Sequence, residues 1–170
     1  DLAAAPEPLP PVKSKWKISK PDLVLRLEKE IKVPATGYMP YQYAPLHQVS
    51  FLPYLFTEDT WVQEIQILPR NRRVLHHANL FWADAREPKK SHHFICGEVP
   101  GGEPMRLAEG TAFMIPKGAV LALQMHYVPC GVETSDLISV GIVYAKSPIH
   151  RRLQHFEVHN SDFTIPAGEA

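Results

Sequence analysis

The clearest alternation of apolar and polar positions lies over residues 120–127, where Leu121, Leu123, Met125 and Tyr127 fall on one side and Val120, Ala122, Gln124 and His126 on the other. Successive side chains of a strand point to opposite faces, so this segment reads as a β-strand with His126 off its apolar face, beside Gln124. Residues 23–28 alternate in the same way, Leu23, Leu25 and Leu27 against Val24, Arg26 and Glu28, with a short helix as the alternative over 28–32. Residues 61–68 and 73–82 read as two strands of a hairpin joined at Pro69-Arg70-Asn71. Residues 111–115, closed by Pro116-Lys117-Gly118, and residues 137–145 supply two more strands. The aromatic- and proline-rich stretch 38–53 reads as an edge strand with loops, and 84–90 and 97–104 as loops. No apolar period of 3.6 persists for three turns, so the predicted architecture is all-β, an antiparallel sandwich of short strands without internal repeats.

Composition agrees. Seventeen prolines against nine glycines disfavour long helices, and 170 residues suit one domain with a core of its own. Residues 1–15 begin with an Ala/Pro/Glu-rich run that reads as a linker, leaving 16–170 as the domain. Eighteen basic and eighteen acidic residues cancel, so no global field points to nucleic acid or an anionic membrane. No apolar run approaches the roughly 20 residues that span a bilayer. The first residues lack the pattern of a signal peptide, and a start without Met reads as an excised fragment or a mature product. The two cysteines, Cys96 and Cys130, leave one disulfide open.

The chemistry-bearing residues are histidines. His76-His77 and the later His126 come from two extended segments, and neutral imidazole is a common ligand for copper and zinc. Strict alternation sets His77 with Leu75, Asn79 and Phe81, and His76 with Val74, Ala78, Leu80 and Trp82. For both to hold one ion the strand must twist or bulge, or both rings must fold back and use the nitrogen nearer the chain. The competing reading makes His76 a hydrogen-bonded core residue, His77 exposed and His126 a packed neighbour. His92-His93, in Lys89-Lys90-Ser91-His92-His93-Phe94, reads as a solvated basic segment rather than a second metal place near Cys96, and His150, His155 and His159 read as surface residues. His47 is isolated. No phosphate-binding glycine loop, nucleophile signature or paired-cysteine zinc spacing supports a hydrolase or nucleotide-binding reading.

Arg73-Val74-Leu75-His76-His77-Ala78-Asn79-Leu80-Phe81, followed by Leu123-Gln124-Met125-His126-Tyr127, resembles the first catalytic-core domain of the copper type II, ascorbate-dependent monooxygenases, the family of peptidylglycine alpha-hydroxylating monooxygenase and dopamine beta-monooxygenase. In that family a His-His pair and a later His in a Gln-x-His-Tyr context hold the electron-transferring copper. The resemblance implies a jelly-roll sandwich and His76, His77 and His126 as copper ligands. A second likeness is to bacterial multidomain proteins in which such a module follows a c-type cytochrome domain through a Pro-rich linker. It rests on Lys20-Pro21-Asp22-Leu23-Val24, Val33-Pro34-Ala35-Thr36-Gly37, Trp61-Val62 and Pro69-Arg70-Asn71-Arg72 onward to His77, so the resemblance covers most of the chain from Trp16.

By that resemblance the chain is a copper-binding, electron-transferring domain of a monooxygenase-like oxidoreductase, periplasmic or extracytoplasmic. Its partners are an upstream cytochrome c domain and a downstream second copper domain of the same protein, with ascorbate or another one-electron donor, and no nucleic acid or membrane. The family's second domain binds the oxygen-activating copper through a His-x-His motif and a Met. No His-x-His occurs in this sequence, and Met105, Met114 and Met125 lack that partner, so this chain alone is not expected to hydroxylate. The histidine-bearing insert at 89–94 also departs from the family's motif. Ligation requires neutral imidazole, so metal affinity should fall as pH drops through the ordinary histidine range near about 6.5. The alternatives are a non-catalytic jelly-roll interaction module with structural histidines, its segment 38–56 contacting a partner, and a self-contained metal enzyme recruiting Glu64 or Asp84.

Overall fold

A computed structural model describes residues 15–36, 48–90, 92–158, 160, 162, 164 and 166–168. Most of the predicted linker, the first part of the aromatic stretch, His47 and His159 lie outside the described residues. The described chain holds no helix and twelve strands: β1 (Leu23–Arg26), β2 (Ile31–Val33), β3 (Gln48–Leu55), β4 (Thr60–Leu68), β5 (Leu75–Asp84), β6 (His93–Glu98), β7 (Met105–Arg106), β8 (Thr111–Ile115), β9 (Ala119–Tyr127), β10 (Thr134–Asp136), β11 (Ser139–Tyr144) and β12 (Arg151–Leu153). The protein is all-β and sandwich-like, as predicted. One sheet runs β1-β11-β4-β8-β12 with β7 also pairing β4, another runs β3-β9-β5-β6, and β10-β2 forms a small third. Every ladder is antiparallel except β8 with β12.

Apolar side chains from the two larger sheets make one core. Val62, Ile65, Ile67, Val140 and Ile142 come from the first, Leu80, Leu121, Leu123 and Met125 from the second, none more than 1 % exposed. The alternation read over 120–127 is thus real: β9 turns Leu121, Leu123, Met125 and Tyr127 inward and leaves Gln124 and His126 half-buried on its other face. Beyond the outer face of the first sheet, Gln66 on β4 is 2 % exposed and accepts the backbone N–H groups of Lys17 and Ile18 at 2.7 and 3.4 Å. Gly141 on β11 lies under Trp16, whose ring is 2.7 Å from where a Cβ would stand.

Three expectations need correction. Residues 31–33 are a strand paired with 134–136, so the helical alternative over 28–32 does not hold. Segments 61–68 and 73–82 do not form a hairpin, because β4 and β5 belong to different sheets. Both edges of each strand are already taken, β4 by β11 and β8, β5 by β9 and β6. The chain between them, 69–74, is too long for a tight two-residue turn and is fastened elsewhere, with Asn71 N–H donating to Asp136 Oδ1 at 2.7 Å and Asn71 Nδ2 to Thr134 Oγ1 at 3.0 Å. The His92-His93 segment is not simply solvated loop: His93 opens β6, which pairs along β5. Cys96 lies within that strand, and both cysteines are free.

Candidate metal centre

The feature that makes a site is a break in register. Leu75 sits opposite Tyr127 and His77 opposite His126, so His76 is an extra residue on β5 with no counterpart on β9. Such a β-bulge shifts the alternation by one place. Leu75 keeps its inward position with Ala78 and Leu80, at 6 %, 0 % and 0 % exposure, while His76 is exposed and His77 joins Asn79 and Phe81 as half-buried residues. Strict alternation had grouped His77 with Leu75 and placed His76 against the core; the bulge overturns both, and His76 is not a core histidine.

The second device foreseen from sequence is also in place. The two rings turn their Nδ1 atoms, the nitrogens nearer the backbone, to within 3.0 Å of each other. His126 completes a nearly equilateral arrangement, with ring centroids 4.9 Å from His76 and 5.1 Å from His77, against 5.3 Å between the pair. One ligand atom from each residue lies within 4.8 Å of the others, so the triad could hold a metal ion. Nitrogens bound to one ion at about 2.0–2.1 Å stand roughly 3.3–4.1 Å apart, depending on the angle between them. Small ring rotations bridge the difference. Ligation through both Nδ1 atoms requires the Nε2–H tautomer of each ring.

The supports on either side are specific. Two pairs further along the ladder, Asn79 Nδ2 donates to Gln124 Oε1 at 3.3 Å, tying β5 to β9 beside the imidazoles. Gly97 on β6 faces Asn79, and a Cβ there would meet Asn79 Oδ1 at 3.0 Å. On the other side, the buried Tyr127 hydroxyl donates to Asp136 Oδ2 at 3.0 Å. Asp136, fully buried, thereby holds both the residue after His126 and, through Asn71, the loop leading into the bulge. Burial, followed by the Asp136 carboxylate, pushes the Tyr127 phenol above its ordinary range. A cavity of about 210 Å³ opens beside His76, walled in part by Leu75, Val99 and the Arg72–Glu98 ion pair at 2.6 Å.

No family model matches this chain, and no curated protein matches it. The site therefore stands on its geometry.

Other candidates do not join the triad. Glu64 accepts from Ser19 N–H at 3.0 Å on the first sheet, and Asp84, at the far end of β5, pairs with Arg86 at 2.6 Å. The Arg86 guanidinium and backbone N–H hold the Asp84 carboxyl down at about 2. His92 Nε2 contacts Pro88 O at 2.8 Å, His93 stacks on Trp82 with centroids 3.9 Å apart, and His155 leans on Phe94 at 4.6 Å. Cys96 is no candidate nucleophile: burial, then Glu98, pushes its thiol up to about 12. Sequence reasoning missed Asp136 and Gly97, which belong to the site only through pairings distant in sequence; Asn79 and Gln124 were legible as same-face neighbours of the histidines.

Proposed function

We propose that this chain is a copper-binding, electron-transferring β-sandwich module of a monooxygenase-like oxidoreductase, with His76, His77 and His126 as its ligands. The observation that carries the reading is the bulge that brings three imidazoles from two strands to one point. The donor set contains no carboxylate or thiolate, and three neutral nitrogens suit both Cu(I) and Cu(II). Zinc accepts the same donors; the sequence likeness to the copper monooxygenases supports copper over it. Bound there, copper would supply a one-electron couple near the surface. The chain supplies the rest: imidazoles carried on two paired strands, and an Asn79–Gln124 bridge between β5 and β9 beside them. The cavity beside His76 offers a small donor such as ascorbate a close approach, and an upstream cytochrome c domain is the other donor the likeness favours. Hydroxylation belongs in this reading to a second, downstream copper domain, and the location is periplasmic or extracytoplasmic.

Titration of metal-free protein with Cu(II), followed by paramagnetic resonance, tests the assignment. One copper per chain with nitrogen hyperfine structure is expected, lost in His76→Ala, His77→Ala and His126→Ala. Undiminished stoichiometry in His126→Ala sinks it. Tight zinc with no tight copper retains the site and rejects the electron-transfer role.

A further inference from the structure

Away from the triad, the sandwich opens at the edge where β5 and β6 of one sheet meet β8 and β12 of the other, and the segment after β12 crosses the opening. The cleft there measures about 500 Å³, within the roughly 300–1,000 Å³ of small-molecule sites. Its walls are aromatic: Phe81, Trp82, Phe94 and Phe113 line it, and Phe156 stands at its mouth. Phe156 is 82 % exposed, a large apolar side chain that gains free energy only when something covers it. The polar lining is one-sided. Arg152 and three imidazoles, His92, His93 and His155, face a single carboxylate, Glu157. Among the described residues no carboxylate pairs with Arg152, whose guanidinium stands 6.0 Å from the centroid of the Trp61 ring. His93 and His155 lie with their rings against Trp82 and Phe94, contacts that leave ring-edge N–H groups available to a ligand.

We propose that this cleft is a binding site for a flat aromatic carboxylate, its ring between the aromatic walls and its carboxylate on Arg152. Aromatic rings pack favourably edge-to-face or offset against such walls, and a guanidinium recognises a carboxylate through paired hydrogen bonds. The site uses no residue of the triad and does not depend on which metal, if any, binds there.

Calorimetric titration of the metal-free full chain with 2-naphthoate tests it, with neutral 2-naphthalenemethanol and non-aromatic cyclohexanecarboxylate as comparators. Saturable one-to-one binding of 2-naphthoate is expected, with each comparator about tenfold weaker. Arg152→Gln, an exposed change, should erase the preference for naphthoate over the alcohol. Phe156→Ala should weaken naphthoate about three- to tenfold, and His126→Ala should leave it unchanged. The proposal is overturned by absence of saturable binding, by equal affinity for the alcohol, or by wild-type binding in both Arg152→Gln and Phe156→Ala. Loss of binding in His126→Ala overturns it as well, placing the ligand on the triad.

Discussion

Tyr127 shows how a single side chain fastens the site. It neighbours His126, turns inward, and donates a hydrogen bond from its hydroxyl to an Asp136 that also holds the loop before the bulge. Tyr127→Phe keeps the packing but removes one donor from a buried carboxylate, at a cost of about 1–3 kcal/mol. Burial of that phenol, and then the neighbouring Asp136 carboxylate, predict a pH effect. Because the folded state raises the phenol above its ordinary range, its stabilising contribution is complete below about pH 10 and is lost as pH rises past that value. Denaturant titrations at neutral and alkaline pH should therefore show wild type losing more stability with alkali than Tyr127→Phe. An equal alkaline loss in both would remove Tyr127 as a cause. Metal stoichiometry should be the same in the variant, since the hydroxyl is not a ligand.

Among the strands, β5 is decisive and β11 exposes a second constraint. A regular β5 would send adjacent histidines to opposite faces, and the extra residue at His76 resolves that conflict while keeping Leu75, Ala78 and Leu80 in the core. Gly141 illustrates the same dependence on close approach: with the Trp16 ring 2.7 Å from a would-be Cβ, Gly141→Ala must displace either the indole or the strand. Overpacking of this kind costs about 1–3 kcal/mol. Chemical denaturation should register that loss, and in a Trp16→Ala background Gly141→Ala should cost much less, because the clash has then gone. A Gly141→Ala protein as stable as wild type would mean that Trp16 moves aside freely.

For the molecule as a whole, an ion on the triad would cross-link β5 and β9, the central pair of the second sheet, in the folded state alone. On the proposed copper reading, metal at 100 times its dissociation constant should stabilise the fold by about 2.7 kcal/mol. That corresponds to a melting-temperature rise of roughly 5–10 °C for a domain of this size. The rise should vanish in His126→Ala, and a rise that persists there would place the ion elsewhere. The cancelling charges argue that any partner is met through local chemistry, whether at the triad or at the aromatic cleft, rather than through long-range steering.

Much of this was legible in the chain. The period of two over 120–127 is a local property of extended backbone, so it correctly turned Leu121, Leu123 and Met125 inward and His126 outward. The same reasoning named a twist or bulge, or else rings folded back onto their Nδ1 atoms, as what a three-histidine site would demand, since adjacent side chains otherwise diverge. Whether the demand is met was beyond local patterns. Register belongs to a pair of strands, and the partner of β5 lies far along the chain in β9. For the same reason a turn-like Pro69-Arg70-Asn71 suggested a hairpin that the sheets do not form, and His93, which reads as part of a basic loop, begins a strand stacked on Trp82. Alternation, composition and the identity of the ligands are written residue by residue. Convergence of the ligands, and the cleft lined by Phe81, Phe94 and Arg152, arise from contacts between distant segments, which exist only once burial of the shared core has fixed the two sheets against each other.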